Sequence, residues 1–121
     1  MKIVVDGNDG TGKSTLVASL RSLGYEVQDR GIATKMTDDP TLAPPTDDLY
    51  VILDAPVEVC RQRLAAARRD LNEKYHTVAD LQHYRERFLE VARRLPGATI
   101  VDASGSPEEV LGRALSAIKL S

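Results

Sequence analysis

The sequence predicts an α/β domain: a doubly wound parallel sheet of four strands with helices on both faces. Three observations carry this prediction. Four short apolar runs read as strands, at 2–6 "KIVVD", 25–29 "YEVQD", 49–56 "LYVILDAP" and 98–103 "ATIVDA". Stretches of helical spacing alternate with them, which is the pattern of parallel strands covered on both sides. The length of 121 residues suits one domain that buries its own core. Right-handed crossovers leave few topologies for such a chain.

Each element has its own signals. The run at 2–6 ends just before a glycine, as a buried strand does. Lys13 to Leu23 places Leu16, Val17, Leu20 and Leu23 at helical spacing, and Gly24 stops it. Residues 31–48, rich in Thr, Asp, Pro and Ala, read as a mobile loop in which Pro44-Pro45 forbids a continuous helix. The run at 49–56 is the strongest strand. A helix should follow from about Val57 into the arginine-rich "CRQRLAAARRD" (60–70). Thr77 can cap the next helix, whose stripe of Leu81, Tyr84, Phe88, Val91, Ala92 and Leu95 ends at Pro96-Gly97. The last helix has Ser106 as cap, Pro107 in its first turn and Glu109 to complete a capping box. Its buried face should be Val110, Leu111, Ala114, Leu115 and Ile118.

Composition narrows the function classes. With 42% hydrophobic and 28% charged residues the balance is that of an ordinary soluble chain, against disorder or a membrane partner. No apolar run approaches the roughly 20 residues of a spanning helix, and no secretory signal is visible. The lone Cys60 excludes an intrachain disulfide and fits a reducing cytoplasm. A net charge of −2 gives no global pull toward nucleic acid, although a local basic groove stays compatible with it. His76 and His83 have no cysteine or clustered acid beside them in sequence, so a zinc site is not expected. Cys60 reads as a small core residue.

Gly7 to Ser14, "GNDGTGKS", fills every fixed position of G-x-x-x-x-G-K-[ST], between a strand and a helix. The glycines let backbone N–H groups turn inward around phosphates, and the following helix aims its positive end at the same anion. Gly7, Asn8, Asp9, Gly10, Thr11, Gly12, Lys13, Ser14 and Thr15 are therefore the candidate ATP contacts. Lys13 would reach the β- and γ-phosphates, and Ser14 would offer a hydroxyl to Mg²⁺. Asp54, ending the third strand, reads either as a magnesium-shell acid or as a cap for the following helix.

The fold class is thus that of a P-loop NTPase, and of its classes the kinase type fits. A switch GTPase needs an N/T-K-x-D motif and a D-x-x-G after the acidic strand. Here "TKMT" (34–37) lacks the acid and Asp54 is followed by "APV". A mechanical ATPase needs more chain. Moving a γ-phosphoryl group needs arginines to neutralise spreading charge, and Arg61, Arg63, Arg68 and Arg69 lie in one stretch. Some of them would solvate a helix face; Arg68 and Arg69 are read as lid residues.

"DGNDGTGKST" resembles the thymidylate kinase P-loop, with an acid, Asp9, inside the loop. "YVILDAPVEVCRQRL" is similar to that family's strand and helix leading into the lid. "LQHYRERFLEVARRLPGATIVDASGSPEEV" is similar to its last helix, strand and adenine-side loop. The resemblance covers residues 1–24 and 49–119. It implies ATP binding at the carboxyl ends of the strands, with Ala103 and Ser104 near the base. Asp9 would contact the acceptor or organise transfer, or would serve only as a turn aspartate. Asp29-Arg30 is similar to the family's Asp-Arg motif beside the acceptor. The aspartate could orient or deprotonate a hydroxyl and the arginine steady a phosphate; a plain strand-end ion pair is the alternative.

The resemblance breaks at residues 25–48, too short for the walls with which thymidylate kinases enclose their acceptor. The acceptor side should be open, shallow or completed by a partner. Such a site suits a nucleotide-type acceptor, either a pyrimidine mononucleotide or a larger substrate such as DNA. Phage kinases that phosphorylate 5-hydroxymethyluracil within DNA are compatible with that reduction. A duplex base would have to be flipped out, and Arg85, Arg87, Arg93 and Arg94 could meet the backbone or simply solvate a helix. An ATP-binding subunit without turnover is the remaining alternative.

Overall fold

The computed structural model describes residues 2–43 and 47–120; the Pro44-Pro45 pair lies outside them. In chain order the elements are β1 (Ile3–Gly7), α1 (Lys13–Ser22), β2 (Val27–Asp29), α2 (Ile32–Asp38), β3 (Leu49–Asp54), α3 (Val57–Ala66), α4 (Val78–Arg94), β4 (Ala98–Asp102) and α5 (Pro107–Lys119). The four strands form one parallel sheet in the order β2-β1-β3-β4. It is doubly wound: the chain adds β2 on one side of β1, then crosses to build β3 and β4 on the other.

Side chains alternate across the sheet. Ile3, Val5, Val51 and Leu53 face a core shared with α1, α3 and α5. Val4, Tyr50 and Ile52 face a second core filled by Met36 of α2, by Phe88 and Val91 of α4 and by Leu95 just past its end. Because helices cover both faces, β1 and β3 read as continuous apolar runs rather than alternating ones. Cys60 is fully buried in the first core, and burial pushes its thiol up from the ordinary cysteine range. No helix among the described residues is long and apolar enough to cross a membrane.

The helix boundaries follow the expected signals closely. Thr77 accepts a hydrogen bond from the Asp80 amide, and Ser106 and Glu109 form a complete capping box. Gly24, at φ 93°, ends α1 in a left-handed turn, its N–H and that of Tyr25 donating back to the carbonyls of Arg21 and Leu20. This pair of hydrogen bonds is the Schellman stop.

One expectation needs correction. The stretch 31–48, read as a loop, opens with helix α2, whose own residues supply no cap. Its first N–H groups are satisfied from a distance: Gly31 and Thr34 donate to Asp6 Oδ2, and the Thr34 hydroxyl to Asp6 Oδ1 at 2.7 Å. A buried carboxylate on β1 thus replaces the local capping residue. Helix α3 starts at Val57 and runs into the arginine-rich stretch as expected, stopping at Ala66. Arg68 adopts φ 59°, and the Arg68 and Arg69 amides bond back to the carbonyls of Ala65 and Leu64. This is another Schellman stop, with arginine where glycine is usual.

Candidate active site

The P-loop bends sharply between β1 and α1. Gly7 has φ 135°, and a Cβ there would lie 2.5 Å from the Leu53 carbonyl oxygen of the neighbouring strand. Gly10 has φ 82° and would meet the Cys60 carbonyl oxygen at 2.7 Å. Only glycine tolerates both the conformation and the approach. Thr11 donates to the Asn8 carbonyl at 2.6 Å, and the Asn8 amide donates to the Leu81 carbonyl at 2.8 Å, tying the loop to α4.

Lys13 begins α1 and is buried, its ammonium donating to the carbonyls of Gly7 (2.8 Å) and Asn8 (2.7 Å). Burial pulls its pKa down from the ordinary lysine range, and the negative charge of Asp9 opposes that pull. One ammonium at the start of α1 therefore fastens two consecutive carbonyls where the loop leaves β1.

A cavity of about 550 Å³ opens beside this loop. Gly10 through Thr15 form its floor, and Asp29 and Arg30 form the wall at the end of β2. Arg63 and Arg69 stand on the α3 side, while Gly105, Pro107 and Val110 close the α5 side. The fold therefore brings Asp9, Lys13, Ser14, Asp29, Arg30 and Arg69 to one cavity, although they span sixty residues of sequence. Arg68 is not part of this lining. Nor are Ala103, fully buried in the core, and Ser104, whose amide and hydroxyl both bond to Asp102 Oδ1. The α5 wall begins one residue later, at Gly105.

Asp9 is the centre of charge in this site. Arg30 reaches Asp9 Oδ1 at 2.7 Å, Lys13 lies 3.8 Å from the same oxygen, and His76 Nε2 lies 3.0 Å from Asp9 Oδ2. Burial is the largest single influence on the Asp9 carboxyl and favours its neutral form. The charges of Lys13 and Arg30, with the His76 hydrogen bond, together outweigh it and hold the group below the usual aspartate range. Arg30 makes its contact from φ 65°, a left-handed conformation uncommon for arginine.

Two contributors escape a linear reading. Arg63 donates to the carbonyls of Ala103 (2.7 Å) and Gly105 (3.1 Å) and lies 3.3–3.4 Å from those of Gly10 and Thr11. It clamps the P-loop to the loop before α5. Its only sequence signal is membership of the arginine run. His76, 1% exposed, gives no signal at all, since its acidic partner stands 67 residues away.

The oxygen donors fit a magnesium ion carried with a triphosphate. Ser14 lines the cavity at the start of α1, and Mg²⁺ takes few protein ligands alongside phosphate oxygens and water. Asp54 is differently engaged: Arg85 of α4 holds its two oxygens at 2.8 and 3.2 Å. The hydrogen bond and charge of Asp54 raise the Arg85 pKa further. Ser14 thus opens onto the cavity, whereas both oxygens of Asp54 are engaged by Arg85.

Comparison with known proteins agrees with this fold. A deoxyadenosine kinase from M. mycoides with dCTP bound superposes with a TM-score of 0.71 over 100% of both chains, at 13% identity. The chain has the P-loop kinase fold. A sugar kinase from Janibacter sp. HTCC2649 matches with a TM-score of 0.57 and 18% identity, covering 99% of this chain and 95% of that one. In sequence, the bifunctional cordycepin biosynthesis cluster protein 3 of Cordyceps militaris is 32% identical over 114 residues. That match covers 72% of this chain but only 13% of the longer protein. No family model matches the chain.

Proposed function

We propose that this chain is an ATP-dependent phosphotransferase acting on a nucleoside- or nucleotide-type acceptor. The observation that carries the reading is one cavity with two kinds of wall. On one side lie the P-loop amides, Lys13 and Arg69, suited to a triphosphate; on the other lies the exposed carboxylate of Asp29 beside Arg30. The deoxyadenosine kinase neighbours, which include a form with its products dCMP and dCDP bound, support a nucleoside-like acceptor.

In this reading the loop amides and Lys13 hold the β- and γ-phosphates. Asp29 orients the acceptor hydroxyl and takes its proton as the new oxygen–phosphorus bond forms and the bond to the ADP oxygen breaks. Arg69 neutralises charge on the transferring group, and Arg63 keeps the loop and the α5 side at a fixed separation. Ser14 would hold a Mg²⁺ ion, which supplies charge neutralisation at the phosphates when bound.

A base hydroxyl in DNA, including 5-hydroxymethyluracil, is a second acceptor class, and the structure gives it less support. Three of the four arginines available to a DNA backbone have partners within the chain, Arg87 facing Glu90 at 3.7 Å. Arg85 is paired with Asp54, and Arg94 donates to the carbonyls of Pro40 and Leu42. Labelled ATP offered with deoxynucleosides, thymidine monophosphate, plain DNA and hydroxymethyluracil-containing DNA separates these classes. Transfer to a nucleoside or mononucleotide is expected, and Asp29→Asn should lower it about 10²- to 10⁴-fold, the range of a general base. Binding of ATP without transfer to any of them would make the chain a nucleotide-binding subunit instead.

A further inference from the structure

The segment 67–76 carries Arg69 to the cavity, yet it contains neither helix nor strand. Most of its anchors lead back to itself or to α3. Arg61 donates to the carbonyls of Leu71 (2.8 Å) and His76 (3.1 Å), and Leu71 packs against the first core. Tyr75 donates its N–H to Asp80 at the start of α4. Among the described residues, the side-chain hydrogen bond that joins this segment to the P-loop is His76 Nε2 to Asp9 Oδ2, at 3.0 Å.

The chemistry of that contact is specific. His76 Nδ1 faces the Asp70 carbonyl at 2.9 Å while Nε2 faces the Asp9 carboxylate. Both partners are acceptors. A neutral imidazole has one N–H and satisfies only one of them; the imidazolium satisfies both. The charged groups facing it come from every neighbouring element: Asp9 with its partners Lys13 and Arg30, Glu73 at 3.7 Å, Arg61 on the carbonyl side and Asp80 below Tyr75.

We propose that His76 is a positioning residue that docks segment 67–76 onto the P-loop through Asp9 and thereby fixes where Arg69 stands during phosphoryl transfer. The docking is a property of the chain itself. Its catalytic consequence rests on the phosphotransferase reading above.

Amide hydrogen exchange on the ligand-free chain tests the docking. In His76→Ala, exchange across 67–76 should quicken about 10- to 100-fold, the weight of a hydrogen bond to a charged group, with β3 amides unchanged. His76→Gln, whose side-chain amide can still donate to Asp9, should recover most of that protection. With an acceptor in hand, kcat should fall in parallel in the alanine variant while KM for ATP stays within about threefold. Unaltered exchange in His76→Ala, or a glutamine variant as exposed as the alanine one, overturns the proposal. So does an unaltered kcat once transfer is established. Should His76→Ala not fold, Asp9→Asn weakens the same contact from its accessible side and must quicken the same amides. If no acceptor is phosphorylated, the phosphotransferase reading falls while the exchange data still decide the docking.

Discussion

Asp9 stands where two cations and the His76 imidazole converge, and its ionisation is tied to folding. Lys13, Arg30 and His76 hold its carboxyl below the usual aspartate range in spite of burial. A carboxyl whose folded-state pKa is depressed adds stability above its unfolded pKa, about 3.9. That contribution is lost as pH falls from there through the lower folded value. Denaturant unfolding of the chain and of Asp9→Asn should therefore differ most at neutral pH, with the chain more stable, and converge progressively as pH falls below about 4. A difference that stays constant across this interval would remove the linkage. The P-loop residues were legible because backbone geometry and phosphate chemistry confine them to a fixed local spacing, as Gly7, Gly10 and Lys13 show. His76 and Arg63 were not, because their work is done across 67 and 52–53 residues of chain. A linear pattern holds no trace of that.

At the scale of elements, local signals succeeded wherever the capping group sits in the helix's own sequence. Ser106 and Glu109 announce α5, and Thr77 announces α4. The opposite case is α2, whose capping group arrives from β1. Asp6 is fully buried and accepts from the Gly7, Gly31 and Thr34 amides and the Thr34 hydroxyl. Four donors and no acceptor around one side chain demand a carboxylate. Asp6→Asn replaces one acceptor oxygen with a donor facing other donors. It should cost about 1–3 kcal/mol and quicken exchange in residues 32–38 before the rest of the molecule responds. Equal stability of the two forms in urea would mean that α2 is held by its packing on Tyr50 and Phe88 alone. The placement matters for function, since α2 begins directly after Asp29 and Arg30. A carboxylate that fixes its first turn also fixes the cavity wall that Asp29 and Arg30 form.

For the whole molecule, the winding of the sheet decides where a ligand binds. With β1 and β3 adjacent and the chain leaving them in opposite directions, a crevice opens outside their carboxyl ends. The P-loop follows β1 there and Asp54 ends β3 there. The strand alternation made this winding legible, but not which charges would meet across the crevice. Asp54 reads from sequence as a metal acid or a helix cap, and nothing local reveals its partner Arg85, thirty-one residues on. A ligand bound in that crevice touches the P-loop, the end of β2, the α3 side and the loop before α5 together. It should therefore stabilise the molecule as a unit. At a hundred times its dissociation constant, Mg·ATP adds about 2.7 kcal/mol to unfolding, which for a chain of this length is a rise in Tm of roughly 10 °C. Lys13→Met removes the ammonium at the mouth of α1, and most of the rise should go with it while the unliganded Tm changes less. Thermal scans with Mg·ATP that leave the melting curve in place would show that the cavity beside Lys13 does not receive a triphosphate.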